Sequence, residues 1–448
     1  MLGGAALGVR RIQGLGMNET IAALASGVGK AGIAVIRLSG PAVATVLEGL
    51  AGGVPVPRQA VKRSLRRGAD VIDEALVLFF AAPASFTGED VAEFHVHGGR
   101  AVIHDLLETL TGFAGVRLAE RGEFTRRAVA NGKFDLTTGE AIAALVDAET
   151  ASQRRQALRQ AGGALEQAAL SWRQRLLRCL ALMEAEIDFP DEEDVPELRE
   201  RVRADVAALL GELRAALAGA AQGERVREGA IIVVAGPPNA GKSTLVNALA
   251  RREVAIVSPF AGTTRDTIEV HLDLDGYAAT LIDTAGLRET SDPVEQIGVA
   301  RAMEKADRAD LVLWLQASDA LASPPAFGAP VLTIATKVDL DTDSGSGDLA
   351  VSAKTGTGLV ELTARLTAAA RVILEGGESA LVTRERHRRE IEIVAAHCAA
   401  VAEAGAGVPV ELLAEDLRLA VRAIGRLTGQ VDIDEVYDLI FREFCIGK

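Results

Sequence analysis

Residues 231–249 read Ile-Ile-Val-Val-Ala-Gly-Pro-Pro-Asn-Ala-Gly-Lys-Ser-Thr-Leu-Val-Asn-Ala-Leu, and no other stretch constrains the fold so strongly. Gly236–Ser243 fits G-x-x-x-x-G-K-[ST]. The apolar run Ile231–Ala235 predicts a buried strand before it, and Thr244–Leu249 predicts a helix after it. In that setting the glycines let backbone N–H groups curl around phosphate oxygens. Lys242 supplies a point charge to the β and γ phosphates, and the Ser243 hydroxyl can ligate Mg2+. Asn239, Ala240, Gly241 and Thr244 complete the candidate loop. The bland alternative is a chance match in a chain with 45 glycines, and the flanking strand and helix argue against it.

Three further matches follow in order. Asp283-Thr-Ala-Gly286 closes a predicted strand, Leu281–Asp283; an Asp there can hold Mg2+, and the Gly286 amide can sense a γ-phosphate. Thr336-Lys337-Val-Asp339 follows the predicted strand Val331–Thr336, and its Asp can accept from guanine N1–H and the exocyclic amine. Ser352-Ala353-Lys354 stands where a backbone amide would meet guanine O6. With the strand Leu311–Leu315 these segments alternate with helical texture, which predicts a mainly parallel sheet with helices on both faces. Ligands of such sheets bind at the carboxyl ends of the strands. The four motifs together point to a GTPase. A P-loop ATPase is the rival, and Asp339 with Ser352-Ala353-Lys354 argues against it.

The rest of the 448-residue chain has other textures. Residues 1–16 show no periodicity and are expected to be an extension or unstructured tail. Residues 17–135 carry short β-rich runs, Ile33–Leu38, Ala75–Phe80 and Val91–Val96, with helical stretches at Ala42–Leu50 and Ala101–Leu110, which predicts a small α+β domain. Residues 136–227 are rich in Ala, Leu, Glu, Gln and Arg at helical spacing, with a break expected from the two prolines between Phe189 and Pro196. The α/β pattern occupies 228–374, and helical texture returns over 375–448. The fold class that follows is multidomain α/β plus all-α, a GTPase domain inserted into a helical domain.

Net charge is −14, which argues against a generic polybasic nucleic-acid binder. The three cysteines, Cys179, Cys398 and Cys445, form no metal or disulfide spacing, so a reducing compartment is expected. No apolar run reaches about 18 residues, so no membrane span and a cytoplasmic location are expected. Gly27-Val-Gly29-Lys-Ala-Gly32 mimics a dinucleotide fingerprint but precedes a strand pattern, not a helix. His95 and His97 share a strand face without a third ligand for zinc. The acidic run Asp188–Asp194 reads as a solvated loop. Arg154-Arg155 and Arg384–Arg389 read as solvated helix faces, with a tRNA-backbone contact as the sharper alternative. Cys445-Ile-Gly-Lys448 lacks the residues of a prenylation box.

From Thr20 to Lys448 the chain resembles the tRNA modification GTPase MnmE (TrmE) family. The resemblance rests on GPPNAGKS, Gly262-Thr-Thr-Arg-Asp266, DTAGLRE, Val294-Glu295-Gln-Ile-Gly298, Phe86–Asp90, Arg121–Thr125, Asn131–Leu136, Ile187–Glu193 and the terminal CIGK. It implies an N-terminal folate-binding and dimerisation domain, and action on tRNA as a homodimer. It also implies an FAD-dependent partner, MnmG (GidA), in a heterotetramer. The product would be an aminomethyl or carboxymethylaminomethyl group at C5 of the wobble uridine, with 5-formyl- or methylene-tetrahydrofolate as one-carbon source. By motif position the folate contacts are Arg37, Glu93, Lys133 and Lys448. Two basic groups suit a folate's anionic tail, and a glutamate suits the donor edge of its pterin. A ribosome-assembly or regulatory GTPase is the rival reading; it would require a basic RNA-binding appendage, which the sequence lacks.

Hydrolysis needs its own account. The position that often holds a water-orienting Gln, after Gly286, is Leu287. Asn239, Ser258, Phe260 and Thr263 can offer neutral oxygens to a large monovalent cation, and Thr264 is the second Mg2+-ligand candidate. The resemblance points to K+ there, to G domains dimerising across the nucleotides, and to Glu295 as the water-positioning catalytic residue beside Lys242. Two positions depart from the family pattern. The loop Ser26–Gly32 lacks the usual prolines and arginine. Thr336 replaces an Asn that bridges base and phosphate loop, so a weaker bridge and weaker nucleotide binding are expected.

Overall fold

The computed structural model describes residues 18–27, 29–188, 195–237, 239–252, 254–256, 269–283, 309–317, 323–340, 347–405 and 407–430, together with Ile440, Phe444 and Gly447. For 195–197 this is backbone alone. The expected tail, residues 1–16, lies outside the described residues. The chain divides into two compact units, 1–143 with 424–448, and 144–423.

The first unit is built on a six-stranded sheet in the order β3-β4-β5-β2-β1-β6. Its strands are β1 (Thr20–Leu24), β2 (Ala31–Ser39), β3 (Val61–Arg67), β4 (Asp70–Phe80), β5 (Val91–Gly98) and β6 (Val116–Leu118). The three central strands are those the β-rich runs predicted. The edge strand β3, Val-Lys-Arg-Ser-Leu-Arg-Arg, escaped notice because its charges mask the alternation; such charges also blunt an open edge. Helices α1 (Val43–Ala51) and α2 (Arg100–Thr111) follow β2 and β5. On α1, Val43, Val46, Leu47 and Leu50 recur at helical spacing and are buried with Ile36, Leu38 and Phe94 of the sheet. Burying each such side chain contributes roughly 1.5–3 kcal/mol. Then come α3 (Glu123–Ala130) and α4 (Leu136–Asp147). Arg127 of α3, 3% exposed, is held by Glu123, Glu89 and the Glu19 carbonyl, so its buried charge is fully paired. Ile440 and Phe444 pack on Leu136.

In the second unit α5 (Ala151–Ala161), α6 (Ala164–Asp188), α7 (Val195–Ala218) and α8 (Ala220–Glu228) precede a second six-stranded sheet. That sheet comprises β7 (Ala230–Ala235), β8 (Glu269–Leu274), β9 (Tyr277–Asp283), β10 (Leu311–Ala317), β11 (Val331–Thr336) and β12 (Leu349–Val351), in the order β12-β11-β10-β7-β9-β8. All neighbours are parallel except β8 and β9, a hairpin through Asp275-Gly276 with φ of +57° and +88°. The expectation of a mainly parallel sheet therefore gains one antiparallel edge. Helices α9 (Lys242–Ala250) and α10 (Leu359–Leu374) cover one face with α8. On the other, Val233, Ile282, Val312 and Trp314 form small clusters, and residues 284–308 lie outside the described set. Helices α11 (Glu385–Ala402) and α12 (Val410–Thr428) follow. The expected break falls between the end of α6 at Asp188 and the start of α7 at Val195, and Pro196 sits in the first turn of α7, where a missing N–H costs nothing.

The chain enters and leaves this sheet through one polar joint on α5. The Gln153 amide donates to the Arg227 carbonyl (3.0 Å), Gln156 to those of Gly223 (2.9 Å) and Gly377 (3.0 Å), and Gln160 to those of Ala380 and Leu381 (both 3.0 Å). Among the described residues no helix is long and apolar enough to cross a membrane.

Candidate functional site

The loop between β7 and α9 is shaped by backbone no ordinary side chain would accept. Gly236 has φ of +147°, and a Cβ there would lie 2.5 Å from the Leu315 carbonyl oxygen. Gly241, at +91°, caps α9, and exposed Asn239 adopts +64°. Lys242 Nζ folds back over the loop to donate to the carbonyls of Gly236 (2.9 Å) and Pro237 (3.0 Å). Ser243 Oγ donates to Asp283 Oδ2 at 2.6 Å. Parallel β7 and β9 make this meeting possible, since Val234 and Asp283 are in register. A buried carboxylate beside a hydroxyl at a helix start offers the hard oxygens that Mg2+ prefers.

The other end of the site is built by β11 and β12. Ser352 Oγ donates to Asp339 Oδ1 (2.7 Å) and accepts from the Thr355 N–H (3.2 Å). The Ser352 hydroxyl, aided by the Lys354 charge, holds the exposed Asp339 carboxyl below the usual carboxylate range, so it stays ionised. The Ser352 N–H itself donates to the Thr357 carbonyl, so an amide facing a base belongs to Ala353 or Lys354. Lys337 turns the chain here with φ of +60°. Thr336 Oγ1 donates to the Ala240 carbonyl at 2.7 Å. This threonine thus makes a hydrogen bond to the phosphate loop, one end of the expected bridge. Gly286, Ser258, Phe260, Thr263, Thr264 and Glu295 lie outside the described residues.

In the first unit, Arg37 of β2 and Glu93 of β5 are direct cross-strand partners. Arg37 Nη2 and Nε donate to Glu93 Oε1 at 2.9 and 3.1 Å. The guanidinium lies over the rings of Phe86 (5.5 Å) and Phe124 (5.8 Å), and Phe86 meets Phe134 at 5.7 Å. Lys133, next to Phe134, donates to the Pro83 carbonyl. The result is a paired cation and carboxylate over the half-buried Phe86 and the fully buried Phe124. Lys448 lies outside the described residues, but Gly447 does not: with φ of +96°, its Cβ would fall 2.2 Å from the Leu24 carbonyl oxygen. Leu24 ends β1, one residue beyond the partner of Arg37. Sequence reasoning missed Phe86 and Phe124 as the rings that pack against Arg37. The signal was their scarcity, since aromatics make up only 4% of the chain and these two lie inside the FTGED and RGEFT motifs.

Other candidates resolve into structure. His97 Nδ1 pairs with Asp73 at 2.8 Å. Arg155 pairs with Glu378 and Arg388 with Glu224. Cys179 and Cys398 are free and buried; burial pushes the Cys398 thiol up to about 12, which leaves it unreactive.

A strand, a phosphate loop and a helix N-terminus, with an ionised Asp beyond the carboxyl end of a neighbouring strand of the same sheet, define the class: this is a P-loop GTPase. Comparison with known proteins narrows it. The profile of the MnmE helical domain matches residues 136–445, and that of the GTP-binding protein TrmE N-terminus matches 20–133. The tRNA modification GTPase MnmE of Beijerinckia indica is 53% identical over 438 residues, covering 96% of each chain. That of Rhodopseudomonas palustris is 49% identical over 439 residues, 96% of this chain and 99% of the relative. That of a Methylobacterium species is 52% identical over 441 residues, 96% of this chain and all of the relative. The chain belongs to the MnmE family of tRNA modification GTPases.

Proposed function

We propose that this GTPase serves C5 modification of the wobble uridine, U34, of tRNA, in the cytoplasm, as a homodimer working with an FAD-dependent partner of the MnmG kind. In this reading residues 228–374 form an inserted G domain, and 17–135 a folate-binding and dimerisation domain. Asn239–Thr244, Asp283, Gly286, Thr336, Lys337, Asp339 and Ser352–Lys354 hold GTP. Ser243, with Asp283 beside it and Thr264, would hold Mg2+, which neutralises charge developing on the phosphates. Asn239, with Ser258, Phe260 and Thr263, would hold K+. Glu295 positions water. Arg37, Glu93, Lys133 and Lys448 would hold a tetrahydrofolate, which supplies a one-carbon unit when bound.

The observation that carries the reading is the Arg37–Glu93 pair over Phe86 and Phe124 in a chain of this family. GTP hydrolysis alone has no use for it. A fused-ring heterocycle with donor groups on its edge and an anionic tail suits a carboxylate with cations beside it, next to the half-buried Phe86. The test is mass spectrometry of wobble uridines in tRNA from a deletion strain. Reintroducing this chain should restore the C5 group, whereas Arg37→Ala should fail to while still hydrolysing GTP. Wobble uridines unchanged by the deletion would overturn the proposal.

A further inference from the structure

Helix α5 holds the amino ends of the two strands whose carboxyl ends carry the phosphate loop and Asp283. Its start is a capping box, in which the Gln153 side chain accepts from the N–H groups of Glu149 (3.0 Å) and Thr150 (3.2 Å). The same side chain donates to the Arg227 carbonyl, just before β7. The Ser152 N–H donates to the Gly276 carbonyl at 3.0 Å, in the turn just before β9. Ala151 Cβ lies 3.4 Å from where a Cβ on Gly276 would stand, and His271 of β8 pairs with Glu149 at 3.0 Å. One group in this joint is unsatisfied. Ser152 is fully buried, and its Oγ finds no hydrogen-bond partner among the described residues. An unmade bond there is a cost that this arrangement carries and another could relieve. At the far end of β9, seven residues and about 20 Å on, Asp283 Oδ2 accepts from Ser243 Oγ at 2.6 Å. Two oxygens that share a Mg2+ at about 2.1 Å each stand about 3.0 Å apart. The direct contact is too short for that, so Asp283 must draw back from Ser243 for both to serve one ion. Strand β9 is bonded to β7 and to β8, so a displacement along it reaches Gly276. Small shifts of packed elements resolve into discrete arrangements.

We propose that α5 senses the nucleotide site through β9: when Asp283 draws back, the β8–β9 turn is pressed onto α5 and the Ser152 hydroxyl takes the Gly276 carbonyl as its partner. The inference rests on the GTP-site reading above, with Ser243 and Asp283 at the metal. The test uses the full chain, wild type and Ser152→Ala, and a non-hydrolysable GTP analogue in Mg2+ or in EDTA. Coupling is reciprocal, so a change at α5 must return to the nucleotide site. Ser152→Ala should lose about fivefold in analogue affinity in Mg2+, one hydrogen bond's worth, and less than about twofold in EDTA. In analogue-bound wild type, hydrogen exchange of the Ser152 amide should slow by about fivefold or more when Mg2+ replaces EDTA. A loss in Ser152→Ala of the same size with and without Mg2+ would make the residue merely structural and overturn the inference. Exchange at Ser152 that ignores Mg2+ would overturn it too. Wild type that binds the analogue no better in Mg2+ than in EDTA would sink the GTP-site reading instead. Should Ser152→Ala fail to fold, the exchange measurement on wild type still decides.

Discussion

At the scale of single residues, Asn239 shows how conformation and chemistry meet. Few residues other than glycine hold a positive φ, and Asn tolerates it best. At +64° the side chain stands exposed on the phosphate loop, so its carbonyl oxygen is free to meet an ion beside the phosphates. A large, weakly hydrated monovalent cation suits neutral oxygens there, and Na+ fits such a cage poorly. Hydrolysis is therefore expected to be faster in K+ than in Na+ by on the order of 100-fold, the scale of one lost transition-state stabiliser. Asn239→Gly should abolish the difference; it keeps the backbone relaxed, whereas Asn239→Ala adds strain. Equal rates in the two salts, at matched ionic strength and saturating GTP, would refute the cation role. Residue identities were the most legible level: the phosphate loop, Asp283, Asp339 and Ser352 all read directly from spacing. That Thr336 would reach Ala240, 96 residues away, could not be read there, because such a hydrogen bond leaves no mark on local sequence.

At the scale of elements, α5 carries an arrangement that periodicity could not reveal. Gln153, Gln156 and Gln160 look like an ordinary polar helix face, yet Gln156 and Gln160 are 3% and 6% exposed. Their amides serve carbonyls on the segment entering β7 and on the segment leaving α10. The two crossings run so close that a Cβ on Gly223 would lie 2.1 Å from the Val382 carbonyl oxygen, and one on Gly377 2.3 Å from that of Gln222. Gln156→Leu leaves two buried carbonyls without this donor, which costs about 3 kcal/mol. For a unit of this size that lowers Tm by roughly 6–10 °C. Exposed Gln167→Leu should shift it by less than about 1 °C. Scanning calorimetry checks both, and a Gln156→Leu transition within about 1 °C of wild type would show that the joint is held by other contacts. Texture did predict the insertion of an α/β segment within helices. It missed β8 as an antiparallel edge, although the Asp275-Gly276 turn between β8 and β9 is a local hairpin signal.

At the scale of the whole molecule, the last residues return to the first strand. Ile440 and Phe444 pack on Leu136, and Gly447 approaches the end of β1 where only glycine fits. Helical periodicity predicts none of this; only the family resemblance placed the tail near Arg37. The described parts of the candidate nucleotide site come from residues 236–237, 239–243, 283, 336–339 and 352–354, all at one sheet of the second unit. The tail belongs to the first unit. Deleting Cys445–Lys448 should therefore leave basal GTP hydrolysis within about twofold of wild type, since no transition-state contact is removed. In the proposed folate reading, where Lys448 would give a charge-assisted contact to an anionic tail, the same deletion should abolish tRNA modification and weaken tetrahydrofolate binding by about tenfold or more. Gly447→Val should do the same while keeping Lys448, because its side chain collides with the Leu24 carbonyl and displaces the terminus. Hydrolysis rates, folate binding by fluorescence quenching and wobble-uridine mass spectrometry on each variant read the two chemistries separately. Loss of hydrolysis in a variant whose circular dichroism is native would mean that the tail serves the nucleotide site. Full modification in the deletion would mean that it serves neither.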